Sequence, residues 1–405
     1  MYRRDKLNEI IQQASIMTRQ DLSDKRILLR SCLNIPLSDN GQLGDISRLT
    51  DSLPTINYLA KNAKKLIIFA HLGRPNGREL KYSLEPVFKI IEQNLASFGI
   101  SSDFITDIDS LSNSHAKASV IENIRFFDGE ESDDESKREE LIGKFASLAD
   151  IYVNDAFPDY RESVSTYYIA QELPSYLGPE YIKEVKGLIK LSNPIKPFTA
   201  VIGGAKLSEK IDILNELGKT ADKVLIGGAM AYTFLKSQGI KVGKSLIEPD
   251  KAEIAAQILN KFKDKILLPI DHMVSNEFSL TASYSATFTS DVNIPDNTYA
   301  IDIGPKTVNE YVSIIQTAKT LLINGPMGVS EWDKSKEGTK QILETVVDNT
   351  EAYKVMGGGD TISAANSLHI KGFDHVSDGG GAMLAFISND RFPTLDIILD
   401  KFESD

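Results

Sequence analysis

The chain of 405 residues has a single cysteine, Cys32, so it can close no disulfide within itself and suits a reducing cytoplasm. It lacks any uninterrupted apolar run of about 18 residues, the length that a membrane-spanning helix needs, and no membrane partner is expected. Positive charge is also scarce: 45 Lys and Arg stand against 57 Asp and Glu, giving a net charge of −12. An overall field of that sign opposes general binding of nucleic acid or anionic lipid. Residues 1–20 begin with basic residues but include Asp5 and Glu9 and have no apolar core segment. They read as a short helical extension and not as a signal peptide. In so acidic a chain any anion has to be held by a local cluster of cations, and each clustered arginine therefore carries information.

Apolar residues make up 41% of the chain and charged ones 25%, an ordinary balance for large packed cores. The length suggests two or three domains. Short apolar runs, each followed by a Gly/Asn/Asp turn, are predicted as strands: RILLR (26–30), KLIIFAH (65–71), IYVND (151–155), FTAVIGG (198–204), KVLIGG (223–228), TLLING (320–325) and AYKVMGG (352–358). Helical patterns fall between them, for example 46–61, 208–217 and 250–262. Alternation of this kind argues for βαβ units, and continuous apolar strands argue for parallel sheets buried on both faces. The stretch 181–197, helix-like and then broken by Pro194 and Pro197, suits a connector between two α/β domains.

Glycine clusters at strand ends mark the C-terminal half: GGAKLSEK (203–210), GGAMA (227–231), NGPMG (324–328), GGGDT (357–361) and SDGGGA (377–382). Ligands of open α/β sheets bind at the carboxyl ends of strands, and glycine lets backbone N–H groups approach phosphate there. One such turn is common for packing alone, but a whole series in one domain points to a nucleotide or phosphate site. No G-x-G-x-x-G occurs, and GIKVGKS (239–245) is one residue short of a phosphate-binding loop, so it reads as a plain loop. Lys206 and Lys210, four apart, are expected to share a helix face toward the same phosphates. Asp360 suits either Mg2+ or an N-cap.

In the N-terminal half arginines take the place of glycines at the strand ends: Arg30, Arg48, Arg74, Arg125 and Arg161, with His71 beside Arg74 in HLGRP. Each alone reads as a surface residue, but together they read as an anion pocket. A unit charge pair at about 4 Å and an effective dielectric near 20 gains roughly 4 kcal/mol before desolvation, and the planar guanidinium fork suits carboxylate and phosphate.

Taken together these motifs resemble the phosphoglycerate kinase family. RSCLNIP, HLGRP, ENIRF, YVNDAF, GGAKLSEK, GGAMA, DIGPKT, NGPMGV and GGGDT follow the family's order from about Leu22 to Leu395. The resemblance implies an α/β fold of two Rossmann-like parallel-sheet domains joined by a long interdomain helix, with the C-terminal tail returning to the N-terminal domain. The implied boundaries are 21–180 for phosphoglycerate binding, 181–197 for the helix and linker, 198–385 for nucleotide binding and 386–405 for the tail. It also implies reversible in-line phosphoryl transfer between 1,3-bisphosphoglycerate and ADP, giving 3-phosphoglycerate and ATP, with Mg2+ and a hinge-bending closure, in a cytoplasmic monomer. Carried over by motif, Arg30, Cys32, Leu33, Asn34, Arg48, His71, Leu72, Gly73, Arg74, Arg125 and Arg161 would meet the phosphoglycerate. Gly204, Lys206, Lys210, Gly228, Asn324, Glu331, Gly357, Gly358, Gly359, Asp360 and Thr361 would hold the nucleotide, with Asp360 on the metal. Arg48, Lys210, Gly359 and Gly380 would act on the transferring group. Such chemistry rests on positioning and charge more than on a covalent intermediate.

The chain departs from the family pattern in four places. Cys32 replaces the aspartate that meets the substrate hydroxyl, and FPDYRESVS (157–165) replaces F-G-T-A-H-R-A-H-A-S, losing two histidines. Asp378 replaces a threonine and Ser330 a phenylalanine. Two alternatives accompany the main expectation: a catalytically weakened nucleotide-binding relative, and a kinase for a different small carboxylate.

Overall fold

The structure, a computed structural model, describes residues 4–18, 21–38, 42–388 and 391–403. The chain divides into two units, one of Met1–Lys186 with Asp390–Asp405 and one of Gly187–Asn389. Each is built on a six-stranded parallel sheet covered by helices.

The first unit contains β1 (Arg26–Arg30), β2 (Lys65–Phe69), β3 (Ser102–Ile105), β4 (Ala118–Ile121), β5 (Ile151–Asn154) and β6 (Ser175–Leu177), in the order β3-β4-β2-β1-β5-β6. Strand β1 is central. It pairs in parallel with β2, Arg30 opposite Phe69, and with β5, Arg30 opposite Asn154. Parallel register puts all three carboxyl ends at one edge, so the segments that follow them, Ser31–Asn34, Ala70–Arg74 and Asp155–Arg161, lie there together.

Strands β1, β2 and β5 are buried along nearly their whole length because helices cover the sheet. Helix Ser47–Asn62 buries Leu49, Ser52, Ile56 and Leu59, spaced three and four residues apart, with Ala60 beside them, so that one face, apolar except for Ser52, packs on the core. Each fully buried Leu or Ile contributes about 1.5–3 kcal/mol relative to exposure, and truncating Leu59 to alanine would cost about 2–5 kcal/mol. Arg48 lies on the first turn of this helix, so the face that fixes the helix also fixes the arginine.

The C-terminal helix Pro393–Glu403 belongs to the first unit. Phe392, just before it, stacks on Phe157 at 5.1 Å and on Tyr160 at 5.5 Å, and the Tyr181 and Thr394 hydroxyls are 2.9 Å apart. Helix Pro179–Leu188 and the 3-10 turn Ile189–Ser192 carry the chain onward into the second unit.

There β7 (Phe198–Ile202), β8 (Lys223–Ile226), β9 (Ile266–Leu267), β13 (Thr320–Asn324), β14 (Tyr353–Gly357) and β15 (His375–Ser377) run in the order β15-β14-β13-β7-β8-β9. A separate antiparallel sheet consists of β10 (His272–Ser275), β11 (Thr287–Phe288) and β12 (Tyr299–Ile303). The reading by apolar runs finds β1, β2, β5, β7, β8, β13 and β14. It passes over β3, β4, β6, β9 and β15, which are only two to four residues long, and over the antiparallel sheet, whose strands are interrupted by polar residues.

Candidate functional site

At the carboxyl edge of the first sheet a backbone-and-asparagine lattice holds HLGRP. The Asn123 amide donates to the Leu72 and Tyr82 carbonyls, both at 2.8 Å, and its oxygen accepts the N–H groups of Leu72 and Arg125. Gly73 donates its N–H to Asn34 Oδ1 at 2.9 Å, and its carbonyl accepts Arg125 Nη1 at 2.6 Å. The φ of Gly73 is +63°, and a Cβ there would lie 2.4 Å from the Tyr82 ring, so no other residue fits. Arg48 Nη1 donates to the Asn34 carbonyl at 2.7 Å. Asn34, Arg48, Gly73 and Arg125 are thereby brought into one hydrogen-bonded group. Leu33 and Leu72 point into the core, so only their backbone faces the edge. Cys32 is half-buried, and its carbonyl accepts the Ser52 hydroxyl at 3.5 Å. Arg74 and Arg161 are exposed, the latter with its guanidinium 6.0 Å from the Tyr160 ring.

Arg30 and His71 are placed differently. They are only 2% and 5% exposed. Arg30 Nε donates to Ser165 Oγ at 3.0 Å, Nη1 to the Ser31 carbonyl at 2.9 Å, and Nη2 lies 3.0 Å from both His71 Nδ1 and Asp159 Oδ2. His71 Nδ1 is 3.3 Å from the same Asp159 oxygen. Burial pushes the His71 imidazole down and so favours its neutral form. Burial would raise Asp159, but its contact with His71 and the charges of Arg30 and Arg125 outweigh it and hold that carboxyl well below the usual range. Of the two partners the carboxylate has the firmer state, because Arg30 beside it is always charged. Behind Arg30, Ser165 Oγ donates to Glu130 Oε1 at 2.5 Å, which fixes the guanidinium from the rear. Arg125 also has an internal carboxylate, Glu131 Oε1, at 2.7 Å from Nη2.

In the second unit the glycine turns after β7, β8, β13 and β14 interlock. Gly203 donates to the Asn324 carbonyl, Gly204 to that of Pro326, and Gly228 to that of Met327. Gly325 has φ +100°, and a Cβ on it would be 2.2 Å from the Gly203 carbonyl oxygen. Polar side chains tie the turns together. Asn324 Nδ2 donates to the Gly357 carbonyl at 2.8 Å, while its oxygen accepts Lys210 Nζ. Thr361 Oγ1 accepts the Gly325 N–H at 2.7 Å and donates to the Gly357 carbonyl at 3.0 Å. Gly358 precedes helix Gly359–Ser367, which carries the exposed Asp360 in its first turn. Gly380 begins helix Gly380–Ser388, and its Cβ would lie 2.8 Å from the Gly358 Cα. Glu331 is exposed beside Trp332.

The expectation that Lys206 and Lys210 share a helix face is corrected here. The helix begins only at Ile211. Ser208, which would have started it earlier, donates its hydroxyl and N–H to the Glu248 carboxylate at 2.6 and 3.1 Å. Lys210 consequently turns inward to Asn324, and burial lowers its ammonium pKa against the raising influence of Glu209 and Asp360. Lys206 stays exposed, 3.7 Å from Glu209.

A family model described as phosphoglycerate kinase matches residues 17–390. The chain belongs to the phosphoglycerate kinase family. Among its relatives, the phosphoglycerate kinase of Acidobacterium capsulatum is 39% identical over 400 residues, which span 94% of this chain and 98% of that one. That of Lactobacillus delbrueckii subsp. lactis is 38% identical over 403 residues, 95% of this chain and 99% of the relative. Among solved structures, the phosphoglycerate kinase of Coxiella burnetii matches with a TM-score of 0.84 at 34% identity, covering 96% of this chain and 99% of its own. That of Pyrococcus horikoshii matches at 0.81 and 27%, covering 95% and 98%. Within the family pattern, the residues that sequence reasoning passes over are Asn123, Glu130, Asp159 and Ser165. Asn123 stands inside the ENIRF motif, a usable signal. Asp159 stands inside the departing 157–165 segment, where no family motif assigns it a role.

Proposed function

We propose that this chain catalyses reversible transfer of the acyl phosphate of 1,3-bisphosphoglycerate to ADP, giving 3-phosphoglycerate and ATP. In the reverse direction a carboxylate oxygen of 3-phosphoglycerate attacks the γ-phosphorus of ATP, the bond to the bridging oxygen breaks, and ADP leaves. The observation that carries this reading is the division of labour: an arginine-lined sheet edge in one unit, and glycine turns braced by Asn324, Thr361 and Lys210 in the other.

Arg48, Arg74, Arg125 and Arg161 with Asn34 receive the phosphoglycerate, next to Arg30 and His71. The turns at Gly204, Gly228, Gly357 and Gly358, which lack side chains and so let phosphate approach the backbone, receive the nucleotide phosphates together with Lys206, and Glu331 the ribose. Arg48 and Lys210 offset the charge on the transferring group, with Gly359 and Gly380 offering N–H groups at helix starts. Mg2+ fits the donors present. Among the described residues no cluster of three or more His, Cys, Asp or Glu exists; Asp360, exposed in the first turn of its helix, would hold the ion together with phosphate oxygens and water, the ligands that suit Mg2+. When bound, the ion neutralises phosphate charge. Closure of the kind the family implies, a monomeric state and a cytoplasmic location belong to the same reading.

The test is a coupled assay with 3-phosphoglycerate, ATP and Mg2+. Turnover is expected, and its absence in a folded, ATP-binding protein would refute the reading. Cys32 and Asp159 favour one second reading, a kinase for another small carboxylate. Turnover of such an acid without turnover of 3-phosphoglycerate would support it.

A further inference from the structure

The Arg30 guanidinium and the His71 imidazole, at the centre of the first sheet's carboxyl edge, already hold an anion that the chain itself supplies. Both contacts fall on a single oxygen, Asp159 Oδ2, 3.0 Å from Arg30 Nη2 and 3.3 Å from His71 Nδ1. The guanidinium does not depend on Asp159 for its place. Ser165, itself bonded to Glu130, takes Nε, and the Ser31 carbonyl takes Nη1. Only Nη2 and the imidazole nitrogen turn toward the aspartate, and one oxygen of an incoming anion would satisfy both in the same way.

The aspartate's position is built rather than incidental. Its chain neighbours Phe157 and Tyr160 both stack on Phe392, at 5.1 and 5.5 Å, so the returning C-terminal segment presses the loop onto Arg30 and His71. The Asp159 side chain is 15% exposed, whereas those of Arg30 and His71 are 3% and 6% exposed, so the aspartate is the member of the group nearest to solvent. It remains an anion at neutral pH because the surrounding cations outweigh its burial.

We propose that Asp159 is an internal counter-ion that competes with the anionic substrate for Arg30 and His71, and so sets the affinity of this half-site. The proposal rests on the functional reading above and adds a specificity-determining residue to it. An anion reaching this edge must either displace the carboxylate or bind beside it against repulsion, and both weaken binding. Removing the charge should therefore tighten it. Asp159 Oδ2 is held at ion-pair distance and accepts no hydrogen bond, whereas a hydrogen bond to a charged group carries a factor of roughly ten to a hundred in affinity, so a substrate freed of this competitor gains about the lower figure.

The experiment is calorimetric titration of 3-phosphoglycerate into the full-length wild type, Asp159→Asn and Asp159→Ala at one ionic strength, with Mg-ATP titrated in parallel. Both variants are expected to bind 3-phosphoglycerate about tenfold tighter with the Mg-ATP affinity unchanged. The alanine variant removes the charge without asking the loop to house an amide, and thermal unfolding checks that each variant is folded. If the wild type binds and neither folded variant binds tighter, the proposal is overturned while the functional reading stands. If none of the three binds 3-phosphoglycerate although Mg-ATP binds, the functional reading fails and the proposal with it.

Discussion

Glu130→Gln tests how the first unit holds Arg30 in place. Glu130 is buried and accepts three hydrogen bonds: the Ser163 and Ser165 hydroxyls on Oε1 at 2.8 and 2.5 Å, and the Ser165 N–H on Oε2 at 3.0 Å. Burial pushes its carboxyl up to about 7, against the lowering effect of Ser165, Arg30 and Ser163. The unfolded chain titrates this group near 4.5, so between the two values the folded state holds more protons. Its contribution to stability is therefore complete below about pH 4.5 and is lost as pH rises through 7, a swing of about 3 kcal/mol. Glutamine cannot ionise and removes the swing. It also sets an amide donor against the Ser165 N–H, which costs about 1–3 kcal/mol at every pH. The variant should thus be less stable than wild type by about 1–3 kcal/mol at pH 5, and the deficit should close or reverse by pH 8. Urea unfolding of both full-length proteins, followed by circular dichroism, measures this. Trp332, the only tryptophan, belongs to the second unit, so its emission provides a transition that the substitution should leave in place. Asp155 and Asp302, whose carboxyls burial raises to about 7 and about 8, titrate in the same range but cancel in the difference. A stability difference that stays constant from pH 5 to pH 8 would refute the reasoning.

Lys210→Ala should lower kcat more than tenfold, a loss above about 1.4 kcal/mol, while calorimetry still detects 3-phosphoglycerate binding, since the lysine belongs to the second unit and the arginine-lined edge to the first. Gly325→Ala forces a Cβ to 2.2 Å from the Gly203 carbonyl at φ +100°. It should shift the Trp332-detected unfolding transition down by at least about 1–3 kcal/mol and weaken Mg-ATP binding, and an unchanged transition would count against the interlocked turns. Cys32→Asp restores a carboxylate able to accept a charge-assisted hydrogen bond worth about 1.5–3 kcal/mol. The KM for 3-phosphoglycerate should fall several-fold with that for ATP unchanged, and a raised KM would mean that the pocket has been rebuilt around the thiol.

The sequence by itself determined what is local. Continuous apolar runs mark β1, β2, β5, β7, β8, β13 and β14, because a strand covered on both faces has no polar side to alternate with. Glycine after such a run marks a turn where backbones approach closely, as Gly325 and Gly203 do. Strands as short as Ile266–Leu267 or His375–Ser377 leave no periodic signal, since their pairing comes from neighbours in the sheet and not from their own composition. Tertiary structure alone decided which charges are spoken for. Arg30 stands 129 positions before Asp159 in the chain, yet the parallel register of β1 and β5 brings their following segments to one edge. The same holds for Lys206 and Lys210. Their spacing suggests a shared face, but the bond from Ser208 to Glu248, 40 residues on, delays the helix and sends one lysine inward and the other to solvent. A charge's partner depends on distance through the fold, because an ion pair is set by a few ångströms of separation and by burial, and neither is written in the order of residues along the chain.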